Sequence, residues 1–428
     1  MIPALAFARD TVLGLDEIAK STTPVTTIKV PTITGIRTVH FATSIEAFEE
    51  VLLRRDYKTV KTGPYYEYLV ANYGPWLLST NAEQHKSYTP HKHFSNADDF
   101  ANYLQVFFPF AERRIAAWPI AARGEVGSTE LFHGVTFAAI LGLCFNSEIG
   151  FGPGDKESTP ERARRELMTK VWHFTRRDME LFGRTSIPLK WLYASKYKHY
   201  REICFREWDG LLTRLGPDEV RYAAKMRAAG FISDDFIRTT MTAVLMFIPF
   251  FLVRILQYSL MKLAEHPAIE ATLRADIAKL GAEDMLPKFS ERAPYLDAFV
   301  KEVLRLFPVF YILDRITTED QELAGTRMRK GEQIFLSPYL LHRDARLWPD
   351  PLKFDPGRFS GPKPKGYYPF GLGPHMCAGQ AFAPAILKTM LVQVLRQYRF
   401  TPIDTPRISG GIPGLRFASE PRFAAERT

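Results

Sequence analysis

The sequence predicts a mainly α-helical protein with a small β portion, the α+β fold class. Apolar residues recur at helical spacing through most of the stretch from about Ala101 to Leu280. Alternating, β-branched runs are short and lie near both ends, and a long Pro- and Gly-rich stretch follows the second of them.

The first elements are strands: "TTIKVP" and "RTVHFAT" alternate and are rich in β-branched residues. "TSIEAFEEVLLRR" then reads as a helix, with Thr43 as its cap and Glu46 three residues on, a capping-box start. The helical body follows, broken by loops such as "GFGPGDKESTPE". "YILDRITTEDQELAGTRMRKGEQIFLSP" returns to short strands, with turns at Ala324-Gly325 and Lys330-Gly331. "HRDARLWPDPLKFDPGRFSGPKPKGYYPFG" carries too much Pro and Gly for regular structure. A loop of that length in a compact protein is usually functional. An amphipathic helix over Gln380–Arg396 closes the series.

Composition excludes several classes. Apolar residues make up 46% and charged residues 24%, the balance of a globular protein in water. Three cysteines cannot all pair and are too few for a disulfide framework, so a reducing, cytoplasmic setting is expected. The first twenty residues lack the basic start and unbroken apolar run of a signal peptide. The longest apolar run, Ala243 to Val253, is closed by Arg254 and is short of the ~18–20 residues of a transmembrane segment. The net charge of +9 comes from scattered basic residues, which favours acidic partners in general over nucleic acid.

One cysteine has a distinctive setting. In "FGLGPHMCAGQAF", residues 370–382, Cys377 lies where an irregular loop gives way to a helix. A helix N-terminus, with its free N–H groups and positive dipole end, stabilises a thiolate. Gly371, Gly373 and Gly379 allow close backbone approach and turn conformations barred to other residues. No second Cys or His stands at zinc-ligand spacing, whereas a single axial thiolate suits haem iron.

The stretch resembles the haem-binding loop of the cytochrome P-450 superfamily, Phe-x-x-Gly-x-x-x-Cys-x-Gly. Phe370, Gly373, Cys377 and Gly379 match it. "KEVLRLFP" is similar to the family's Glu-x-x-Arg helix, through Glu302 and Arg305. Arg358 in "DPGRF" matches the third member of the buried network that braces the loop. The resemblance further implies that Arg315 and His375 reach haem propionates, and that "EHP" at Glu265–Pro267 closes the long central helix. It implies haem b, with Cys377 as the metal ligand, in a single domain over 1–428. That domain has an N-terminal β-rich part at about 25–80, a helical body at about 100–310, and a β segment with the haem-binding loop at about 311–380. A C-terminal helix and tail follow.

The departures bear on function. Counted back from His266-Pro267, the family's Ala-Gly-x-Asp/Glu-Thr stretch falls on Phe247-Ile248-Pro249-Phe250-Phe251. Phe250 and Phe251 then hold the positions of the acid and alcohol that relay protons during oxygen activation, and neither can donate one. Pro249 removes an N–H within that helix and is expected to kink it. In "NAEQHKSYTPHKHFS", His85 matches the first of two propionate contacts, but Thr89 stands where the second, an Arg, is expected.

The expected activity is a monooxygenase oxidising a small apolar substrate, with electrons from a separate ferredoxin and ferredoxin reductase, acting as a soluble monomer. Peroxygenase and non-oxygenating rearrangement or dehydration chemistry stay open because the relay is absent, and a non-catalytic haem sensor is the alternative class. Phe247, Phe250, Phe251, Val309, Phe310 and Tyr311 are the expected pocket lining, narrow enough to favour a slim or flat molecule.

Overall fold

The computed structural model describes residues 10–32, 35–54, 59–60, 97–118, 120, 124–127, 132–136, 138–140, 202, 206, 234–281, 289–410 and 414–428. Helices dominate and the strands are short, which is the α+β class expected. The early alternating runs form β1 (Val25–Thr32) and β2 (Gly35–Ala42), an antiparallel hairpin that pairs Val25 with Ala42. They join β3 (Thr59–Val60), β5 (Leu313–Thr317) and β8 (Gln333–Leu336) in a five-stranded sheet of order β1-β2-β8-β5-β3, with β2 parallel to β8. A second sheet pairs β4 (Gly124–Gly127) and β9 (Tyr398–Pro402) on either side of β12 (Arg422–Arg427). Between β5 and β8, the hairpin β6 (Gln321–Leu323) and β7 (Thr326–Met328) turns through Ala324 and Gly325, both at positive φ.

Two local readings are corrected. The helix α2 (Ile45–Glu49) is capped by Ser44, whose Oγ accepts from Ala47 N at 3.2 Å. Thr43 is unavailable for that role because its hydroxyl donates back to the Thr23 carbonyl. The helix then widens into a π-helical turn, Glu50–Arg54. The C-terminal helix runs Phe382–Gln397, with a separate 3₁₀ turn, Ala378–Gln380, between it and Cys377.

The core lies between helices. A 20-residue helix (Ala97–Ala116), the 32-residue central helix (Asp234–Glu265), the Glu-x-x-Arg helix (Pro294–Leu306) and the C-terminal helix share one apolar cluster. The central helix continues through the buried Pro249 as one helix. Pro267 takes the first position of the next helix, Pro267–Ala278, where its missing N–H costs nothing.

The first short helix, Thr11–Ile18, is tied to the strand pair Ile408–Ser409 and Arg416–Phe417 by its cap. Asp10 accepts from Val12 N and Gly410 N at 2.9 Å, from Ser409 Oγ at 2.7 Å and from Arg407 Nη1 at 2.8 Å. Burial alone would raise its pKa, but these donors overcome that and hold the carboxyl below its ordinary range. Asp10→Ala is expected to destabilise the protein by about 2–4 kcal/mol at pH 7, since several bonds to a buried charge are lost. Because the folded pKa is depressed, the contribution is present above the unfolded value near 3.9 and lost as pH falls through the folded one. Thermal unfolding of both proteins at pH 7 and pH 3 should therefore show the gap closing at the lower pH.

Candidate functional site

The Glu-x-x-Arg helix places two charges inside the protein. Glu302 and Arg305 are both fully buried, three residues apart on one face. Arg305 Nε donates to Glu302 Oε2 at 2.7 Å and Nη2 to Oε1 at 2.8 Å. The remaining guanidinium protons go to the carbonyls of His342 and Pro351, each at 2.7 Å, and of Lys353 at 3.1 Å. A guanidinium has five N–H donors, so every donor of this buried cation is used. Glu302 also accepts from Asp355 N at 2.8 Å, and Arg358 Nε lies 3.6 Å from its Oε1. Arg358 spends its hydrogen bonds on the carbonyls of Pro349 and Asp350, so it fastens the loop more than the carboxylate. To the turns that the Pro- and Gly-rich loop makes within itself, these two arginines add side-chain donors on its carbonyls.

His342 carries the connection onward. Its Nε2 accepts from Tyr368 N at 3.0 Å, which requires Nδ1 to hold the proton and donate it to the Arg305 carbonyl at 2.9 Å. Burial pushes the His342 pKa down to about 3, opposed by the hydrogen bond to the Arg305 carbonyl and aided by the charges of Arg305 and Arg343, so the ring is neutral at pH 7. Tyr367 Oη donates to the Lys301 carbonyl, and Tyr368 Oη donates to Glu49 Oε1. From Tyr368 the chain turns through Gly371, whose N–H returns to the Tyr368 carbonyl at 3.1 Å.

The loop ends on Cys377. Its N–H donates to the Phe370 carbonyl at 2.9 Å, and its Sγ accepts from Gly379 N at 3.3 Å. The side chain is accessible although the surrounding protein is dense, and burial pushes the thiol pKa up despite the Gly379 donor. The short turn therefore does not by itself deliver a thiolate at neutral pH; a bound metal cation would have to complete the ionisation. Gly373 fits this place for two reasons. Its φ is +77°, and an added Cβ would lie 2.2 Å from the Leu52 carbonyl oxygen. The π-helical turn Glu50–Arg54 thus presses directly on the loop.

Arg315 lies buried on β5, and its Nη1 donates to the Asp314 carbonyl at 2.9 Å. Leu313, two residues earlier and on the same strand face, approaches Gly371, so that face of β5 addresses the cysteine loop. His375 sits on the 3₁₀ turn Gly373–His375. His85 lies outside the described residues, as does the Phe247 side chain.

Three of the residues expected to line the pocket, Phe250, Phe251 and Phe310, lie together. The Phe251 ring is 4.8 Å from Phe310, edge to face, and 5.9 Å from Phe250. The Val309 carbonyl accepts from Leu415 N at 3.0 Å. Tyr311 is buried with its hydroxyl toward Gly410, at the junction with the first helix. Sequence reasoning missed His342, Tyr368 and Leu52. The "HRD" triplet around His342 has the local look of a surface turn, and no spacing rule joins it to Tyr368.

Comparison with known proteins agrees with this geometry. The family model described as cytochrome P-450 matches residues 254–414. Cytochrome P-450 3A12 of Canis lupus familiaris is 35% identical over 160 residues, which are 36% of this chain and 32% of that protein. Cytochrome P-450 3A5 of Homo sapiens is 36% identical over 160 residues, with the same shares. Cytochrome P-450 3A19 of Capra hircus aegagrus is 33% identical over 160 residues, 36% of this chain and 73% of the relative. The match thus spans about a third of the length of the first two relatives. A solved structure of zebra fish cytochrome P-450 with abiraterone aligns with 97% of this chain and 98% of its own, at TM-score 0.74 and 18% identity, a likeness of fold. The haem b of such proteins fits what is present here: one accessible sulfur in dense surroundings, a glycine that admits no side chain, and a buried cation on the facing strand.

Arg305→Ala would leave Glu302 buried without its main countercharge, at a cost of about 3–5 kcal/mol. The expected outcome is a large drop in melting temperature and poor haem retention. His342 gives a pH signature. Its folded pKa is depressed from 6.5 to about 3, so its contribution is complete above pH 6.5 and lost as pH falls toward 3. The slope is at most about 1.4 kcal/mol per pH unit. His342→Gln should flatten the stability profile across that window, as read by denaturant unfolding at stepped pH.

Proposed function

The chain belongs to the cytochrome P-450 family, and on that premise we propose that it is a haem-thiolate oxidoreductase with Cys377 as the axial ligand of the iron. The observation that carries the proposal is the continuous bonded path from the buried Glu302–Arg305 pair through His342 and Tyr368 to the loop that presents Cys377. Bound haem supplies redox chemistry on oxygen or peroxide, helped by electron density from the thiolate. The protein's residues do the rest. Phe370 holds the Cys377 backbone, Gly373 lets the loop pack against the Leu52 carbonyl, and Gly379 N–H bonds the sulfur. Arg315 would supply positive charge, and His375 a ring nitrogen, toward the two propionates of the bound group.

The first reading is a monooxygenase acting on a small, slim apolar substrate, supplied with electrons by a separate acidic ferredoxin and its reductase. The net charge of +9 suits such a donor, and turnover should weaken as salt rises. Among the described residues, no helix is long and apolar enough to cross a membrane. We place the protein in the cytoplasm as a monomer folded as one domain.

One observation favours a second reading. Phe250 and Phe251 hold the positions of the acid and alcohol, and both are engaged in ring contacts with no proton to give. A peroxygenase, in which hydrogen peroxide brings both oxygens and the protons, avoids the missing relay, and a rearrangement or dehydration avoids it equally. The reduced protein treated with carbon monoxide should give a thiolate-type band, and Cys377→Ala should abolish it; persistence of the band in that variant would remove Cys377 from the site. Product formed from a lipid and small-aromatic panel with peroxide alone, against ferredoxin plus reductase, separates the two readings. Turnover with neither leaves the rearrangement class or a non-catalytic haem sensor.

A further inference from the structure

Arg254 is the charged residue that ends the apolar run of the central helix, one turn beyond Phe250. Its guanidinium carbon stands 3.8 Å over the Phe250 ring, and Nη1 donates to the Leu415 carbonyl at 3.0 Å. The same Leu415 donates its N–H to Val309 at 3.0 Å. Its neighbour Gly414 packs so closely that an added Cβ would lie 2.5 Å from the Val309 oxygen. Phe310 follows Val309, and its ring returns to Phe251, which touches Phe250. The contacts close a circuit: Arg254, Leu415, Val309, Phe310, Phe251, Phe250 and back to Arg254. Three separate segments of the chain are held in it, and one hydrogen bond from Arg254 joins the central helix to the segment before the last strand pair closes.

We infer that Arg254 is a specificity-determining residue, which ties the central helix to Leu415 and so fixes a narrow distal wall that admits slim apolar molecules and rejects globular ones. This deepens the proposed function and rests on its placing Phe250 and Phe251 beside the haem. Arg254 does not restore the lost proton relay, because a guanidinium stays protonated at any working pH. Its position is explained by binding: the face of an aromatic ring attracts a cation, and Phe250 provides the face where an acidic side chain would have drawn the guanidinium into an ion pair. Replacing the acid thus converts a polar groove into a wall stapled from outside.

The test uses haem-loaded wild type, Arg254→Lys, Arg254→Met and Phe250→Leu, each titrated with 1-dodecanol and with 1-adamantanol while the Soret band is followed. The two alcohols share a hydroxyl and differ in shape. Arg254→Met keeps the apolar stem and loses the staple. The ratio of the adamantanol to the dodecanol Kd should fall by about tenfold, a change typical of a reshaped apolar pocket. Arg254→Lys, which keeps charge and one donor, should recover part of the preference. An unchanged ratio in a folded Arg254→Met that keeps its thiolate-type carbon monoxide band would overturn the inference. Should Arg254→Met fail to fold, Phe250→Leu decides, since it removes the platform and keeps the Leu415 bond; it too must relax the preference. A wild-type protein without the thiolate-type band would instead defeat the functional reading, which keeps the two failures apart.

Discussion

Everything on the cysteine side of this protein depends on one ion pair that water does not reach. Two charges inside a protein are a liability unless the geometry satisfies them. Here the helix spacing aims both ends of Glu302 and Arg305 at each other, and the leftover donors of Arg305 find three carbonyls of the loop. The loop cannot move away without stranding a buried cation, and the cation cannot leave without stranding a carboxylate. That mutual dependence is how an irregular stretch rich in Pro and Gly becomes a rigid platform.

Rigidity is then passed along rather than created anew. His342 is fixed in one tautomer because its two nitrogens meet groups of opposite kind, an N–H and a carbonyl. Its neutrality matters to that role: a protonated ring would present a donor to the Tyr368 N–H and lose the contact. Tyr368 also reaches Glu49, and Phe48 stacks on its ring at 5.8 Å, so the N-terminal helix and its π-helical extension are tied to the same loop. Leu52 then meets Gly373. The cysteine is positioned from two directions, one from the Glu-x-x-Arg helix and one from the N-terminal portion.

What was legible in the sequence divides along these lines. The spacing of Glu302 and Arg305, the alternation in Val25–Ala42 and the turn at Ala324-Gly325 are local patterns, and they took the predicted form. Legibility failed where the deciding partner is distant in sequence. Thr43 had the pattern of a cap but was claimed by the Thr23 carbonyl, leaving Ser44 to do the capping. Cys377 had the pattern of a helix-stabilised thiolate, yet the turn after it is brief and burial outweighs its single donor. Asp10 caps the first helix locally and is also bonded to residues some four hundred positions away, which no local pattern announces. In the first two cases a long-range hydrogen bond or desolvation overrode a correct local propensity.

The two sides of the site use opposite physics. The cysteine side satisfies buried charge with a full set of donors, and the family match, residues 254–414, covers that side and its bracing loop. The match begins at Arg254, just past Phe250 and Phe251. Among the described residues there, the rings of Phe250, Phe251 and Phe310 meet edge to face, and Arg254 rests on the Phe250 ring. Dispersion and ring contacts fill space well but move no protons. On the register proposed above, a wall built this way would be specific in shape and poor in acid–base chemistry, and the protons of an oxygen-dependent reaction would come from the substrate, from the oxidant or from ordered water. Under the proposed function, the braced cysteine loop would make the protein a haem-thiolate scaffold, and the ring-lined central helix would limit which reactions that scaffold can run.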